Sequence, residues 1–174
     1  MIFYQKHKDL LLEQTTYNER IIGKQGEFYK LARVGKYSFE NIHVVFRDNT
    51  KWGAAVITPI QTEWGGTKRP LFQNHAVSIC EDCNGNFISL DEAHFICGIM
   101  NTSIAFDYIL SSSDSRSFPV RPRIYIPKYN SKNSIHKEIS NLSKEAHLEY
   151  NNRHKIAQII NRLDELYLTI AKDR

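Results

Sequence analysis

The chain has 174 residues, 41% apolar and 24% charged, with a formal net charge of +4. That balance fits one folded domain with a core and excludes wholesale disorder. No apolar run approaches the roughly 20 residues that cross a bilayer, and Met1-Ile2-Phe3-Tyr4-Gln5-Lys6 lacks the apolar core of a secretory leader. A cytoplasmic protein with no membrane partner is expected.

Residues 3–14, with Leu10, Leu11 and Leu12 among charged neighbours, read as a short helix. Residues 17–30 hold Gly23 and Gly26 and read as a loop ending at Phe28-Tyr29. His43-Val44-Val45-Phe46-Arg47 has the β-branched and aromatic content of a strand. Asp48-Asn49-Thr50 is a turn, and Ala54-Ala55-Val56-Ile57 is a second strand, stopped by Pro59. Residues 61–70, around Trp64-Gly65-Gly66, read as a polar loop. His75 to Ile79 is a further strand, and the Asn84-Gly85 turn leads to Phe87-Ile88.

Ser89-Leu90-Asp91-Glu92 is a capping box that opens a helix. Leu90, Ala93, Cys97 and Met100 mark its apolar face. Asn101-Thr102-Ser103 interrupts or ends it, before a second helical stretch through Ala105, Ile109 and Leu110. Ser111 to Ser117 is a polar loop, and Ile124-Tyr125-Ile126 a short strand closed by Pro127. From Ser134 the period is helical, through Ile135, Ile139, Leu142 and Ala146, then Ile156, Ile159, Ile160, Leu163, Leu166, Tyr167 and Ile170. This reads as two helices broken near Asn151-Asn152, or as one long bent helix. Such a stripe must pack on the sheet, on its own hairpin or on a partner helix.

The expected fold is therefore α/β of the mixed α+β kind. It has a twisted, largely antiparallel sheet, flanking helices and a C-terminal helical pair or long helix. Residues 1–133 form the α/β core, and residues 134–174 a helical segment packed on that core or on a partner. Homo-oligomerisation through these helices is one expected use of the stripe.

Charge is unevenly placed. Residues 17–75 carry nine Lys/Arg against five acids, and residues 110–132 carry five against one. Between them, residues 76–109 carry five acids and no Lys or Arg. Two basic segments on one face would suit a polyanion. Aromatics interleave with the basic residues: Lys51-Trp52, Trp64 with Lys68-Arg69, and Arg116 with Arg121 and Arg123. Arginine grips guanine or phosphate, and an indole stacks on an unstacked base. With Lys36, Arg47 and Lys128, these make the candidate DNA-binding set.

Other motifs carry less. Cys80 and Cys83 form a C-x-x-C that would supply half a zinc site, but no second C-x-x-C or H-x₃-H pair follows and His75 and His94 are the only nearby helpers, so reduced thiols around a turn are expected. Asp91-Glu92-Ala93-His94 spells a helicase box, yet no G-x-x-x-x-G-K-(S/T) phosphate loop accompanies it. His147 and His154 read as solvated or capping histidines. A methyltransferase site would need (D/N/S)-P-P-(Y/F/W) and a Gly-rich loop, and a metal nuclease paired acids with E-x-K. The chain holds no such set, so no catalysis, no metal and no cofactor of its own are expected.

Five segments, in order, resemble the C-terminal target-recognition (specificity) domain of adenine-N6 DNA methyltransferases, especially type IIG restriction-modification enzymes. Lys8 with Leu10-Leu11-Leu12-Glu13 resembles the helix linking catalytic and recognition domains, and Phe28-Tyr29-Lys30-Leu31 the aromatic start of a strand. Gly35-Lys36-Tyr37-Ser38-Phe39 with Val44-Val45-Phe46-Arg47 resembles the first paired strands. Leu90 to Cys97 with Met100-Asn101-Thr102-Ser103 resembles the family helix, with Met-Asn-Thr where the family has L-N-S. Ile126-Pro127-Lys128-Tyr129-Asn130 and Ser143-Lys144-Glu145-Ala146-His147 complete the series; residues 150–174 depart from it. The resemblance implies sequence-specific binding of double-stranded DNA for a methyltransferase/endonuclease catalytic domain or subunit. S-adenosylmethionine and Mg²⁺ would then belong to that partner alone. Two other readings stand beside it: a protein-interaction or oligomerisation module, and a self-contained nuclease.

Overall fold

A computed structural model describes residues 5–13, 35–49, 51–72, 75–113 and 122–172. The chain divides into two compact units, Met1–Phe39 and Glu40–Arg174. The first holds α1 (Lys8–Glu13) and a 3-10 turn, Lys36–Phe39. The predicted loop over residues 17–30 and the Phe28–Leu31 segment lie outside the described residues.

The second unit is a mixed α/β fold. Its main sheet has β1 (His43–Arg47) at the centre, with β2 (Ala54–Ile57) on one side and β5 (Ala76–Ile79) on the other. Both pairings are antiparallel, with Val44 opposite Val56 and Ile79. A separate two-stranded hairpin joins β3 (Ile60–Gln61) to β4 (Thr67–Lys68), where the sequence predicts only a loop. Its strands are too short and too polar for the alternation that signals a strand.

Four helices complete the unit: α2 (Leu90–Met100), α3 (Ser103–Ser112), α4 (Ser134–Leu148) and α5 (Arg153–Lys172). Ser89 caps α2 by accepting the Glu92 amide, as the capping signature predicts, while the Glu92 carboxylate binds Lys128. Asn101-Thr102 breaks α2 from α3 at 60°. There the Thr102 hydroxyl donates to the Ile99 carbonyl and accepts from the Ala105 amide. Asn133 caps α4, and Asn152 accepts the Lys155 amide at the start of α5, so the C-terminal pattern is two helices.

Helix α2 is buried on two sides. Ala93, Cys97 and Met100 meet Val44, Phe46, Trp52 and Val56 beneath the sheet. Phe95 and Ile99 meet Ile139 of α4 and Ile159, Leu163 and Leu166 of α5. The predicted single face missed this second side, and Leu90, assigned to it, is exposed. A helix apolar nearly all round is a central one. The stripe on α5 is thus covered within the chain, by Phe95 and Ile99 among others.

Ile124-Tyr125-Ile126 is not a strand and pairs with none among the described residues, which differs from the prediction. Prolines at 122 and 127 bound the segment and supply no N–H for a ladder. Ile124 and Ile126 instead plug the seam between the two apolar clusters, and the Tyr167 hydroxyl donates to the Tyr125 carbonyl.

The α2–α4 crossing is tight at Gly98. A Cβ there would lie 2.8 Å from Ile139 Cγ2 and 3.2 Å from the Ile139 carbonyl oxygen. Gly98→Ala is expected to destabilise the fold by about 1–3 kcal/mol through overpacking. Urea unfolding measures this; an unchanged or higher midpoint refutes the close approach.

Candidate nucleic-acid interface

The β3–β4 hairpin stands outside the core: all four of its strand residues are exposed. Its tip is an ordered turn. Thr62 N–H donates to the Gly66 carbonyl at 3.1 Å, and Gly65 N–H to the Thr62 carbonyl at 3.2 Å. The Thr62 hydroxyl donates to the same two glycines' carbonyls. Gly65 and Gly66 take φ of +87° and +75°, the left-handed region that favours glycine. Trp64 at this tip is 90% exposed.

Basic residues follow directly. Lys68 is opposite Ile60 in the hairpin, and Arg69 comes next. The Arg69 guanidinium donates twice to the Asn41 amide oxygen, at 3.0 and 3.1 Å. That partner is neutral, so it orients the charge without cancelling it. Lys51, Lys68, Arg69 and Arg123 are all exposed and have no carboxylate partner among the described residues. Arg47 is exposed at the end of β1, and Lys36 is exposed on the 3-10 turn of the first unit. Arg116 and Arg121 lie outside the described residues.

Two predicted contacts have structural employment. Trp52 is 8% exposed, its indole N–H donates to the Met100 carbonyl at 2.7 Å, and its ring lies 5.3 Å from Phe46. It anchors the core, and little of its ring is exposed to a base. Lys128 is bound by both Asp82 and Glu92, each at 2.9 Å. These two carboxylates hold its ammonium well above the usual lysine range, and the Lys128 ammonium first, then Asn86, holds the Asp82 carboxyl well below the usual range. Lys128 thus ties the segment after Pro127 to the Asp82 turn and to α2, and a phosphate would have to compete with two acids for it.

Cys80 precedes that turn and Cys83 lies within it, neither in a disulfide among the described residues. Asp82 accepts the amides of Asn84 and Asn86, and Gly85 takes φ +77°. Among the described residues no group of three or more His, Cys, Asp or Glu could hold a metal. The helicase-like tetrapeptide is likewise structural: Asp91 pairs with Lys144, Glu92 with Lys128, and His94 with the Ser143 hydroxyl.

Sequence reasoning missed how the outer edge of β2 is closed. Asn101 accepts the Ala54 amide at 3.0 Å and donates to the Ala54 carbonyl at 2.8 Å. His147 accepts the Val56 amide on Nε2 at 2.9 Å and donates from Nδ1 to the Ser143 carbonyl. His147 is therefore neither solvated nor a cap. Cys97 beneath is fully buried, and burial pushes its thiol up to about 11, the wrong direction for a nucleophile. Beside this closure is an apolar cavity of about 580 Å³, lined by Trp52, Phe106, Ala146, Tyr150, Ile156 and Ile160 among others.

The chain matches no protein-family model, and no curated protein shows significant similarity to it.

Truncating either clasp residue leaves a strand amide without its partner. Asn101→Ala and His147→Ala are each expected to cost about 1–3 kcal/mol in urea unfolding. A neutral outcome for both would show that β2 does not rely on them.

Burial foremost, then the neighbouring His147 and Lys144, lowers the His94 pKa to about 4 from 6.5. Burial also lowers His136, which stacks on Phe95 at 4.5 Å. In this window the unfolded chain binds protons that the folded chain refuses. Stability is therefore full above about pH 6.5 and falls as pH drops toward 4. Urea midpoints across this range test it, and His94→Gln is expected to shallow the slope.

Proposed function

We propose that this chain is a DNA target-recognition module serving an adenine-N6 methyltransferase or restriction-modification enzyme. The observation that carries the reading is the exposed β3–β4 hairpin, with Trp64 at its tip followed by Lys68 and Arg69. A two-stranded ribbon has the dimensions to enter the major groove. Cations without carboxylate partners supply phosphate contacts, which position the ribbon. The ordered resemblance of segments to such recognition domains supports the same reading, except at Lys36–Phe39, which is a 3-10 turn where the resemblance implies a strand. On this reading S-adenosylmethionine and Mg²⁺ act in a catalytic partner, and this chain selects the site.

The cations differ in availability, and that makes the reading testable. Lys51, Lys68 and Arg123 have no carboxylate partner among the described residues, whereas Lys144 is engaged by Asp91. Fluorescence anisotropy with duplex DNA should show affinity falling steeply as salt rises. Lys51→Ala, Lys68→Ala and Arg123→Ala should each weaken binding and reduce the salt slope by about 0.9 per lost phosphate contact. Lys144→Ala should leave both unchanged. No binding to any duplex at low salt, or equal loss in all four variants, overturns the assignment.

A further inference from the structure

We propose that Trp64 is a wedge: the hairpin enters a groove of the duplex and the indole inserts at an opened base step. This rests on the DNA-recognition reading above and goes past it by assigning a distortion of the DNA to one side chain.

Trp64 is the most exposed large apolar side chain among the described residues. An indole carries an apolar surface of roughly 150–250 Å², and here the fold covers almost none of it. The turn that carries it is already ordered by the Thr62, Gly65 and Gly66 hydrogen bonds, with Thr67 Oγ1 donating to Gln61 Oε1 behind it at 3.1 Å. Little ordering remains to be done on binding. A Cβ on Gly65 or Gly66 would meet nothing within 4 Å, so these glycines serve the backbone and keep the tip thin.

Charge fixes which end goes in. Lys68 and Arg69 stand at the base of the hairpin, while Glu63 adjoins Trp64 at the tip. Phosphates attract the base and repel the tip, so the tip belongs among base edges. A carboxylate there accepts from a cytosine amino group. The indole has a single donor and no acceptor, so it reads little from base edges. Its gain comes from its faces, and base faces are covered until a step opens.

The test compares an intact duplex with the same duplex carrying one abasic site, using the full chain. The abasic duplex has less stacking to lose, so the protein should bind it about tenfold more tightly. Trp64→Ala should remove that preference, and Trp64→Phe should keep part of it. Trp64 lies in water, so these variants fold. Indole emission should change on binding, and Trp64→Phe should abolish the change because Trp52 stays buried. Binding with unchanged emission, or Trp64→Ala keeping the abasic preference, overturns the wedge and leaves DNA recognition standing. No binding to any duplex overturns both.

Discussion

The second unit depends on how the free edge of β2 is closed. An edge strand presents unpaired N–H and C=O groups that invite another chain. Here Asn101 takes both polar groups of Ala54, and His147 takes the amide of Val56. The partners come from the C-terminal ends of two helices rather than from another strand. Each bond fixes sheet position against helix position. Gly98 permits the close α2–α4 approach, and Ser143 links His94 and His147 across the seam. The clasp also orients the floor of the apolar cavity, because Asn101 and His147 form part of its wall with their polar atoms already engaged.

Charge is arranged in two ways. Across the helical layer, Lys144 pairs with Asp91, Lys155 with Glu145, and Arg162 with both Glu138 and Glu165. These exposed pairs add little stability individually, but they mute the local field. Around the hairpin, Lys68 has no carboxylate partner among the described residues and Arg69 is held by a neutral amide. The mild net charge therefore understates the potential there, since screening acts over about 8–10 Å and near charges dominate.

Local chemistry made much of the fold legible. Strand β1 announced itself through Val44, Val45 and Phe46, and α2 through the Ser89 cap. The α2–α3 break was readable at Thr102, a residue suited to capping. What escaped depends on distant partners. Trp52 and Trp64 look alike in sequence, each near basic residues; a carbonyl 48 positions away separates them by holding Trp52. Lys128 and Lys68 differ for a similar reason, because the acids that engage Lys128 lie far upstream. The role of His147 rests on an amide 91 residues earlier, a separation that periodicity cannot reveal. Short strands such as β3 and β4 carry no periodic signal at all.

The hairpin's separation from the core has a consequence for change. Substitutions at buried positions are felt through packing and commonly cost stability. Ile60, Gln61, Thr67 and Lys68 are all exposed, so their side chains contribute little to holding the fold. Apart from Thr62 and the glycines that set its turn, the ribbon's exposed strand residues can be rewritten with small effect on folding free energy. Such a build lets the hairpin's surface drift while the packed body that presents it stays fixed.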